Sequence, residues 1–102
     1  MKILTYNVNG IRAALKKDLL VFLERENPDV VCLQEIKADA AQIPVADFEA
    51  LGYYCSWYSA KKKGYSGVAI LSKTKPTNIV HGCGHPLFDD EGRILMATID
   101  GV

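Results

Sequence analysis

The sequence predicts a mixed α/β (α+β) domain, and three patterns in its 102 residues carry that prediction. An apolar strand, an amphipathic helix and a second apolar strand follow one another at the start, which is the order of a βαβ unit. After residue 52, helical spacing gives way to short apolar runs separated by turn residues. Several of these runs are apolar at consecutive positions, so both faces of the predicted sheet need cover.

The first unit begins with an apolar strand over residues 2–8, after which Asn9 and Gly10 turn the chain. A second strand over residues 30–34 should run parallel to the first, though not necessarily beside it, so Asn7, near the end of the first strand, and Glu35, directly after the second, lie at the same end. Between the strands, Asn27-Pro28 ends a single helix whose apolar residues recur at helical spacing: Ile11, Leu15, Leu19, Phe22 and Leu23.

The second half predicts one short helix and four strands. Pro44 suits the first helical position, and Gly52 suits the helix C-cap. The strand-like runs are expected to pair as an antiparallel meander, and they cover residues 53–59, 67–72, 77–82 and 93–99.

The two helices can cover only one face of the sheet. The other face needs a second sheet, a second copy or a missing stretch of chain. A domain of this size buries only about two thirds of its unfolded surface. The sequence therefore predicts half of a larger domain.

Composition excludes several classes of protein. Lys plus Arg equals Asp plus Glu at 12 each, so no global charge attracts nucleic acid, and any basic surface is local. No apolar run approaches the roughly 20 residues of a membrane span, and no signal-peptide cleavage site follows the first strand. Three cysteines make a disulfide framework improbable. We therefore predict a cytoplasmic protein that does not enter a membrane.

Four motifs give the chain a family resemblance: "NVNGIRA", "LQEIKA", "GYSGVAILSK" and "DDEGRILMATI". In order and approximate spacing they resemble the exonuclease III family of abasic-site (AP) endonucleases, within the endonuclease/exonuclease/phosphatase superfamily. The resemblance covers the whole chain but only the N-terminal half, or slightly less, of the family's domain. It implies that residues 1–102 form the N-terminal half of a four-layered αββα sandwich of the DNase I-like type, with the C-terminal portion of this single domain absent.

The resemblance also implies a divalent cation, normally Mg²⁺ with Mn²⁺ as an alternative. Glu35 of "LQEIK" would bind it, and Asn7 of "NVNG" would line the same pocket, so both are predicted as catalytic and metal-site residues. A carboxylate suits Mg²⁺, a hard ion that prefers oxygen ligands and keeps several waters. The ion would polarise the scissile phosphate while water attacks it. Taken alone, Glu35 after a strand would more often be a solvated turn residue.

Six further residues are predicted to contact DNA. A guanidinium at the start of a helix favours phosphate, and glycines beside "YS" allow the backbone to approach a sugar-phosphate chain. For these residues, and more strongly for the lysines of "KKK", the alternative is a solvated basic surface. The family resemblance implies a DNA-contacting role for the loop with Tyr65 and Ser66 and for Arg93. The predicted DNA contacts are Asn9, Arg12, Lys37, Tyr65, Ser66 and Arg93.

Two functions compete. The first is a metal-dependent DNA repair phosphodiesterase, an exodeoxyribonuclease III or AP endonuclease that cleaves duplex DNA at abasic sites and 3′ ends. The family's later tyrosine, "GDxN" segment and Asp-His pair are not matched in this chain, so the fragment is expected to be inactive alone. The alternative is a catalytically incomplete module that acts only through DNA binding or self-association of its uncovered sheet face. Phosphoinositide phosphatases and sphingomyelinases share the fold, but "NVNGIRA" and "GYSGVAILSK" favour the DNA branch.

The segment "HGCGH" places His81, Cys83 and His85 at alternate positions, a spacing that would put three zinc ligands on one side of an extended strand. No fourth ligand is apparent, and a surface loop with a partly buried cysteine is the preferred interpretation.

Overall fold

The βαβ unit forms as predicted. The computed structural model describes residues 1–102, and for residues 87 and 88 it describes the backbone alone. Strands β1 (Ile3–Asn7) and β2 (Val30–Gln34) pair in parallel, with Ile3 opposite Val30 and Asn7 opposite Gln34. The two strands are direct neighbours, so the residues that follow them meet at one edge of the sheet.

The connection between β1 and β2 contains two helices, α1 (Ile11–Lys16) and α2 (Leu19–Glu26). The prediction of one continuous helix was wrong. The backbone N–H groups of Lys17 and Asp18 bond to carbonyls three residues back, and Asp18 then adopts a left-handed conformation with a φ of 64°. Aspartate tolerates this conformation better than most residues. Leu19 and Leu23 remain buried after the break, which is why the apolar spacing concealed it.

A short helix, α3 (Val45–Ala50), begins directly after Pro44 and ends before Gly52, which has a φ of 95°. This agrees with the prediction to within one residue. Two short elements were not predicted: a 3₁₀ turn over Ala40–Gln42, which the Asp39 carboxylate caps, and helix α4 (Pro86–Asp89). In the described part of the chain, no helix is long and apolar enough to cross a membrane.

The four predicted strands form as β3 (Tyr54–Tyr58), β4 (Val68–Ser72), β5 (Asn78–His81) and β6 (Leu95–Thr98), but they do not form one meander. Strand β4 pairs antiparallel with both β2 and β3, which gives a four-stranded sheet in the order β1-β2-β4-β3. Both edges of β4 are therefore occupied, and β5 cannot join it. Strands β5 and β6 pair with each other in a separate two-stranded sheet.

The two faces of the four-stranded sheet differ in cover. The helices pack on one face, where Ile11, Leu33, Phe48 and Leu71 are at most 1% exposed. The hairpin of β5 and β6 covers part of the other face, which we call the inner face. An apolar cavity of about 240 Å³ remains there, lined by Met1, Ile3, Val30, Cys32, Ile70, Ala97, Ile99 and Val102. A second sheet, one of the three predicted covers, is thus present in part.

Candidate functional site

Asn7 and Glu35 meet at the ends of β1 and β2. The Asn7 side-chain Nδ2 donates a hydrogen bond to Glu35 Oε2, and Asn7 Oδ1 accepts one from the backbone N–H of Asn9 at 3.0 Å. Because Oδ1 faces an N–H donor, the amide can point only its NH₂ group toward the carboxylate. Asn7 therefore orients Glu35 without adding a negative charge.

Backbone hydrogen bonds join three loops beneath these side chains. The N–H groups of Gly10 and Ile11 donate to the carbonyls of Glu35 and Ile36 at 2.8 and 2.9 Å. On the other side, the N–H of Ile36 donates to Gly67 O at 3.1 Å, and that of Lys37 to Ser66 O at 2.8 Å. The loop after β2 is therefore held from both sides.

Four residues of these loops have left-handed backbone conformations. The φ angles of Asn9, Glu35, Lys37 and Ser66 are 45°, 53°, 53° and 50°. For residues with a side chain, such conformations cost of order 1–3 kcal/mol each and persist only where the surroundings enforce them. The inter-loop hydrogen bonds supply that enforcement. Strain concentrated in this way is typical of functional sites.

Lys37 lies beside the Asn7–Glu35 pair. Its Nζ donates to Asn9 Oδ1 at 2.6 Å and lies 4.0 Å from Glu35 Oε1. Arg12, near the start of α1, donates from Nη2 to the Lys37 carbonyl at 3.3 Å. The first loop and its helix thus hold a lysine ammonium next to the carboxylate.

The side chains of Asn7, Glu35 and Lys37 open into one polar cleft of about 400 Å³. Glu35 is the one carboxylate among its lining residues in the described part of the chain, and Lys37 and Arg93 supply two cations. The cleft therefore combines a single anionic oxygen ligand with positively charged walls. Its lining residues are Asn7, Gln34, Glu35, Lys37, Gly64, Tyr65, Ser66, Val68 and Arg93.

Arg93 is held at the wall of the cleft by two partners. Its Nη2 donates to the Tyr65 hydroxyl at 2.9 Å, and its Nε pairs with the Glu91 carboxylate. Hydrogen bonding to Glu91 first, and to Tyr65 second, raises the pKa of Arg93, so the guanidinium stays charged. Ser66 is only 6% exposed, which leaves its side chain little surface for a ligand.

Comparison with known proteins agrees with this geometry. A sequence model of the Endonuclease/Exonuclease/phosphatase family matches residues 4–102. The chain belongs to this endonuclease/exonuclease/phosphatase family. It is 40% identical over 103 residues to an exodeoxyribonuclease of Bacillus subtilis (strain 168), covering 100% of this chain and 40% of that relative.

Two solved structures share its fold. An AP endonuclease from Archaeoglobus fulgidus matches with a TM-score of 0.87 and 37% identity, over 99% of this chain and 38% of that one. A 3′ phosphatase, NExo, from Neisseria bound to product DNA hairpin matches with a TM-score of 0.85 and 36% identity, over 100% of this chain and 38% of that one. The resemblance to exonuclease III and AP endonucleases is confirmed. The chain spans about two fifths of the length of these relatives.

The residues predicted from the sequence include most of those that line the cleft, but they do not include Gln34. Its Nε2 donates to Thr5 Oγ1 at 2.9 Å and to Cys32 O at 3.1 Å, and the side chain lines the cleft. The strand register contained a signal for it, because Gln34 pairs with Asn7 at the ends of β2 and β1. Glu91, the partner of Arg93, was also missed, although it stands two residues away in "EGR".

The "HGCGH" loop is held by the side chain of Asp89. The Asp89 carboxylate accepts hydrogen bonds from the backbone N–H groups of Cys83 and Gly84 at 2.9 and 3.0 Å. Among the residues that the structure describes, no three His, Cys, Asp or Glu side chains form a group that could hold a metal ion. The loop is a turn capped by Asp89, and its Cys83 is exposed, so the expectation of a partly buried cysteine was wrong.

Proposed function

We propose that the chain is part of a metal-dependent DNA repair phosphodiesterase of the exodeoxyribonuclease III and AP endonuclease class. Its substrate would be duplex DNA, cleaved at abasic sites and at 3′ ends. The observation that carries the proposal is a carboxylate, Glu35, oriented by Asn7 within a cleft whose walls present Lys37 and Arg93. The names of the similar proteins, an exodeoxyribonuclease, an AP endonuclease and a 3′ phosphatase bound to a DNA hairpin, support it.

The residues present fit a hard divalent cation, which we propose to be Mg²⁺, with Mn²⁺ able to replace it. Such ions are commonly held by one or two protein carboxylates together with waters and substrate phosphate, and Glu35 supplies one carboxylate on an open cleft. Asn7 would act on the ion through Glu35, since its amide NH₂ faces Oε2. When bound, the cation supplies polarisation of a phosphate oxygen and stabilises the charge that builds up on the leaving oxygen.

The cationic side chains of the chain bind and orient the phosphate in this proposal. Lys37 is fixed by Asn9, and Arg93 by Tyr65 and Glu91, so neither has to be ordered when DNA arrives. Arg12 reaches the Lys37 carbonyl and places its guanidinium beside the same loop. Ser66 contributes through its carbonyl, which holds Lys37 N–H, rather than through its buried side chain.

Only part of the chemistry lies in this chain. We propose that residues 1–102 form the N-terminal portion of a single domain, because the chain spans 38% of each similar structure and leaves an apolar cavity on the inner face.

We also propose the cytoplasm as the compartment, where free thiols such as Cys32, Cys55 and Cys83 persist. Burial and the nearby Glu49 raise the pKa of Cys55 to about 11, so this thiol stays protonated.

Replacing Arg93 by Gln tests the proposed DNA interface. Affinity for a fluorescent duplex with an abasic-site analogue is expected to fall about tenfold, because one phosphate contact is lost. For the same reason, the slope of log K against log salt concentration is expected to become less steep by about 1. Fluorescence anisotropy over a series of salt concentrations measures both quantities. Arg25→Gln is the matched control, since Arg25 is 70% exposed on α2. An equal loss in the two variants would contradict a specific role for Arg93.

A second candidate is self-association of the chain as an incomplete module, with a second copy as the occupant of the inner face. Within the described residues β6 pairs with β5 alone, so its other edge is free, and its sequence "LMAT" has no charge to block pairing. The net charge of zero offers no repulsion between copies. Antiparallel pairing of two β6 edges would extend the second sheet over the exposed Ile3.

Sedimentation velocity tests this self-association. The wild-type chain is expected to form dimers or larger species at micromolar concentration. Met96→Lys is expected to shift it to monomer, because a lysine on an edge strand opposes pairing. Met96 is 48% exposed on β6, and Val21→Lys, at a position 62% exposed on α2, controls for the added charge. A monodisperse wild-type monomer would overturn the second candidate.

A further inference from the structure

The segment that carries Arg93 contacts the loop that carries Tyr65, and the strand residue before that loop, at several points. We call residues 59–66 the basic loop and residues 89–93 the brace. At the first residues of the brace, the Tyr58 hydroxyl donates to Asp89 O at 2.9 Å, and the backbone N–H of Lys61 donates to Asp90 O at 3.0 Å. The Lys61 ammonium also lies 3.0 Å from Asp90 Oδ1.

In the middle of the brace, Gly92 packs directly against the backbone of the basic loop. A Cβ atom on Gly92 would lie 2.6 Å from Ala60 N and Ser59 C, and 2.8 Å from Tyr58 O. These are backbone atoms, which cannot turn aside as a side chain can. Gly92 is buried and has a φ of 59°. The close contact of the two segments therefore depends on the absence of a side chain at this position.

At the far end of the brace, Arg93 holds Tyr65. Its Nη2 donates to the Tyr65 hydroxyl at 2.9 Å, and its guanidinium carbon lies 5.6 Å from the ring centroid. Lys62 Nζ lies 5.4 Å from the centroid of the same ring. Both ends of the basic loop are thus fastened to one five-residue segment, which lies 23 or more positions away from the loop in the sequence.

We propose that the brace is a positioning element that holds the basic loop in its DNA-binding shape before DNA arrives. Gly92 and Asp90 are its positioning residues, and neither lines the cleft. A loop that is already ordered loses less conformational freedom on binding, so Gly92 and Asp90 raise DNA affinity without touching DNA themselves. The effect of the brace on DNA affinity rests on the proposed function, whereas the bracing of the loop does not.

Hydrogen exchange of the Lys61 amide in Gly92→Ala tests the bracing, because that amide donates to Asp90 O. Its protection is expected to fall about tenfold or more, which corresponds to about 1.4 kcal/mol of lost local stability. The Val31 amide in the core strand β2 is expected to keep its protection. Gly101→Ala is the matched control: Gly101 has a φ of 80°, but a Cβ there meets nothing within 4 Å.

Asp90→Asn provides a second variant if Gly92→Ala unfolds the chain. It removes only the exposed ion pair with Lys61, so a loss of Lys61 protection of about two- to fivefold is expected, with Val31 unaffected. Unchanged Lys61 protection in Asp90→Asn and in a folded Gly92→Ala would overturn the bracing. So would an equal loss in Gly101→Ala.

Duplex binding tests whether the brace raises DNA affinity. Gly92→Ala is expected to weaken binding of the abasic-site duplex about tenfold and to lower the salt slope by about 1 or more, because displacement of the basic loop and of the neighbouring Arg93 loses phosphate contacts. A merely structural role for Gly92 would not change that slope. Loss of Lys61 protection with unchanged duplex affinity would show that the brace does not raise DNA affinity. A wild-type chain that binds no duplex would refute the proposed function, and the exchange result would still decide the bracing.

Discussion

Divalent-cation binding is expected to fall about tenfold or more when Glu35 is replaced by Gln, because the variant loses the charged oxygen ligand that a hard ion requires. Glutamine has the same length, and its carbonyl oxygen can still accept the hydrogen bond from Asn7. The loss would therefore report the charge and not a collapse of the loop. Titration of Mn²⁺, with the free ion measured by electron paramagnetic resonance, gives both affinities.

The control for Glu35→Gln is Glu24→Gln, at an exposed position on α2 outside the cleft lining. This variant loses the same charge from the chain as a whole and is expected to bind Mn²⁺ as the wild type does. If both variants bind the ion equally well, Glu35 is a solvated turn residue, as its position after a strand would suggest on its own.

Nicking of an abasic-site duplex by the 102-residue chain in Mg²⁺ is expected to stay below detection. Glu35 is the one carboxylate among the described residues that line the cleft, so no second carboxylate or histidine is in place there to activate water. General acid–base catalysis contributes about 10²- to 10⁴-fold to such reactions. The tyrosine, "GDxN" and Asp-His features that the family resemblance implies are not matched within this chain.

The nicking assay needs a positive control on the same oligonucleotide, for which the Bacillus subtilis exodeoxyribonuclease is suitable. A trace of host nuclease is the main source of a false signal, so the preparation has to be homogeneous and of verified mass. Nicking by such a preparation, abolished by Glu35→Ala, would show that residues 1–102 hold a complete catalytic site and would contradict the prediction.

The convergence of Asn7 and Glu35 was predictable because it depends on local patterns alone. Two apolar runs and an intervening helix define parallel strands, and parallel strands place their following residues at one edge. The orientation of the Asn7 amide was not predictable in the same way. It depends on the Asn9 N–H, which reaches Oδ1 only because Asn9 has a left-handed backbone.

The sequence patterns did not predict the order of the strands or the position of the brace, for a different reason. Strand β4 pairs with β2, which lies more than 30 residues earlier, and no turn chemistry specifies such a long-range pair. The contact of Gly92 with Ala60 is equally distant. The glycine of "EGR" is typical of a tight turn, which agrees with its φ of 59°, but the motif does not reveal what the glycine packs against.

The most direct test of a shared cation pocket is a double-mutant cycle of Asn7→Ala and Glu35→Ala, with Mn²⁺ affinity measured in the presence of abasic-site duplex. Asn7→Ala alone is expected to cost about 10- to 100-fold in affinity, as is usual when the partner that orients a metal ligand is removed. Because Asn7 acts through the Glu35 carboxylate, which Glu35→Ala removes, adding Asn7→Ala to that variant should cost less than about twofold more. Fully additive losses, or an Asn7→Ala variant with wild-type affinity, would contradict a common pocket.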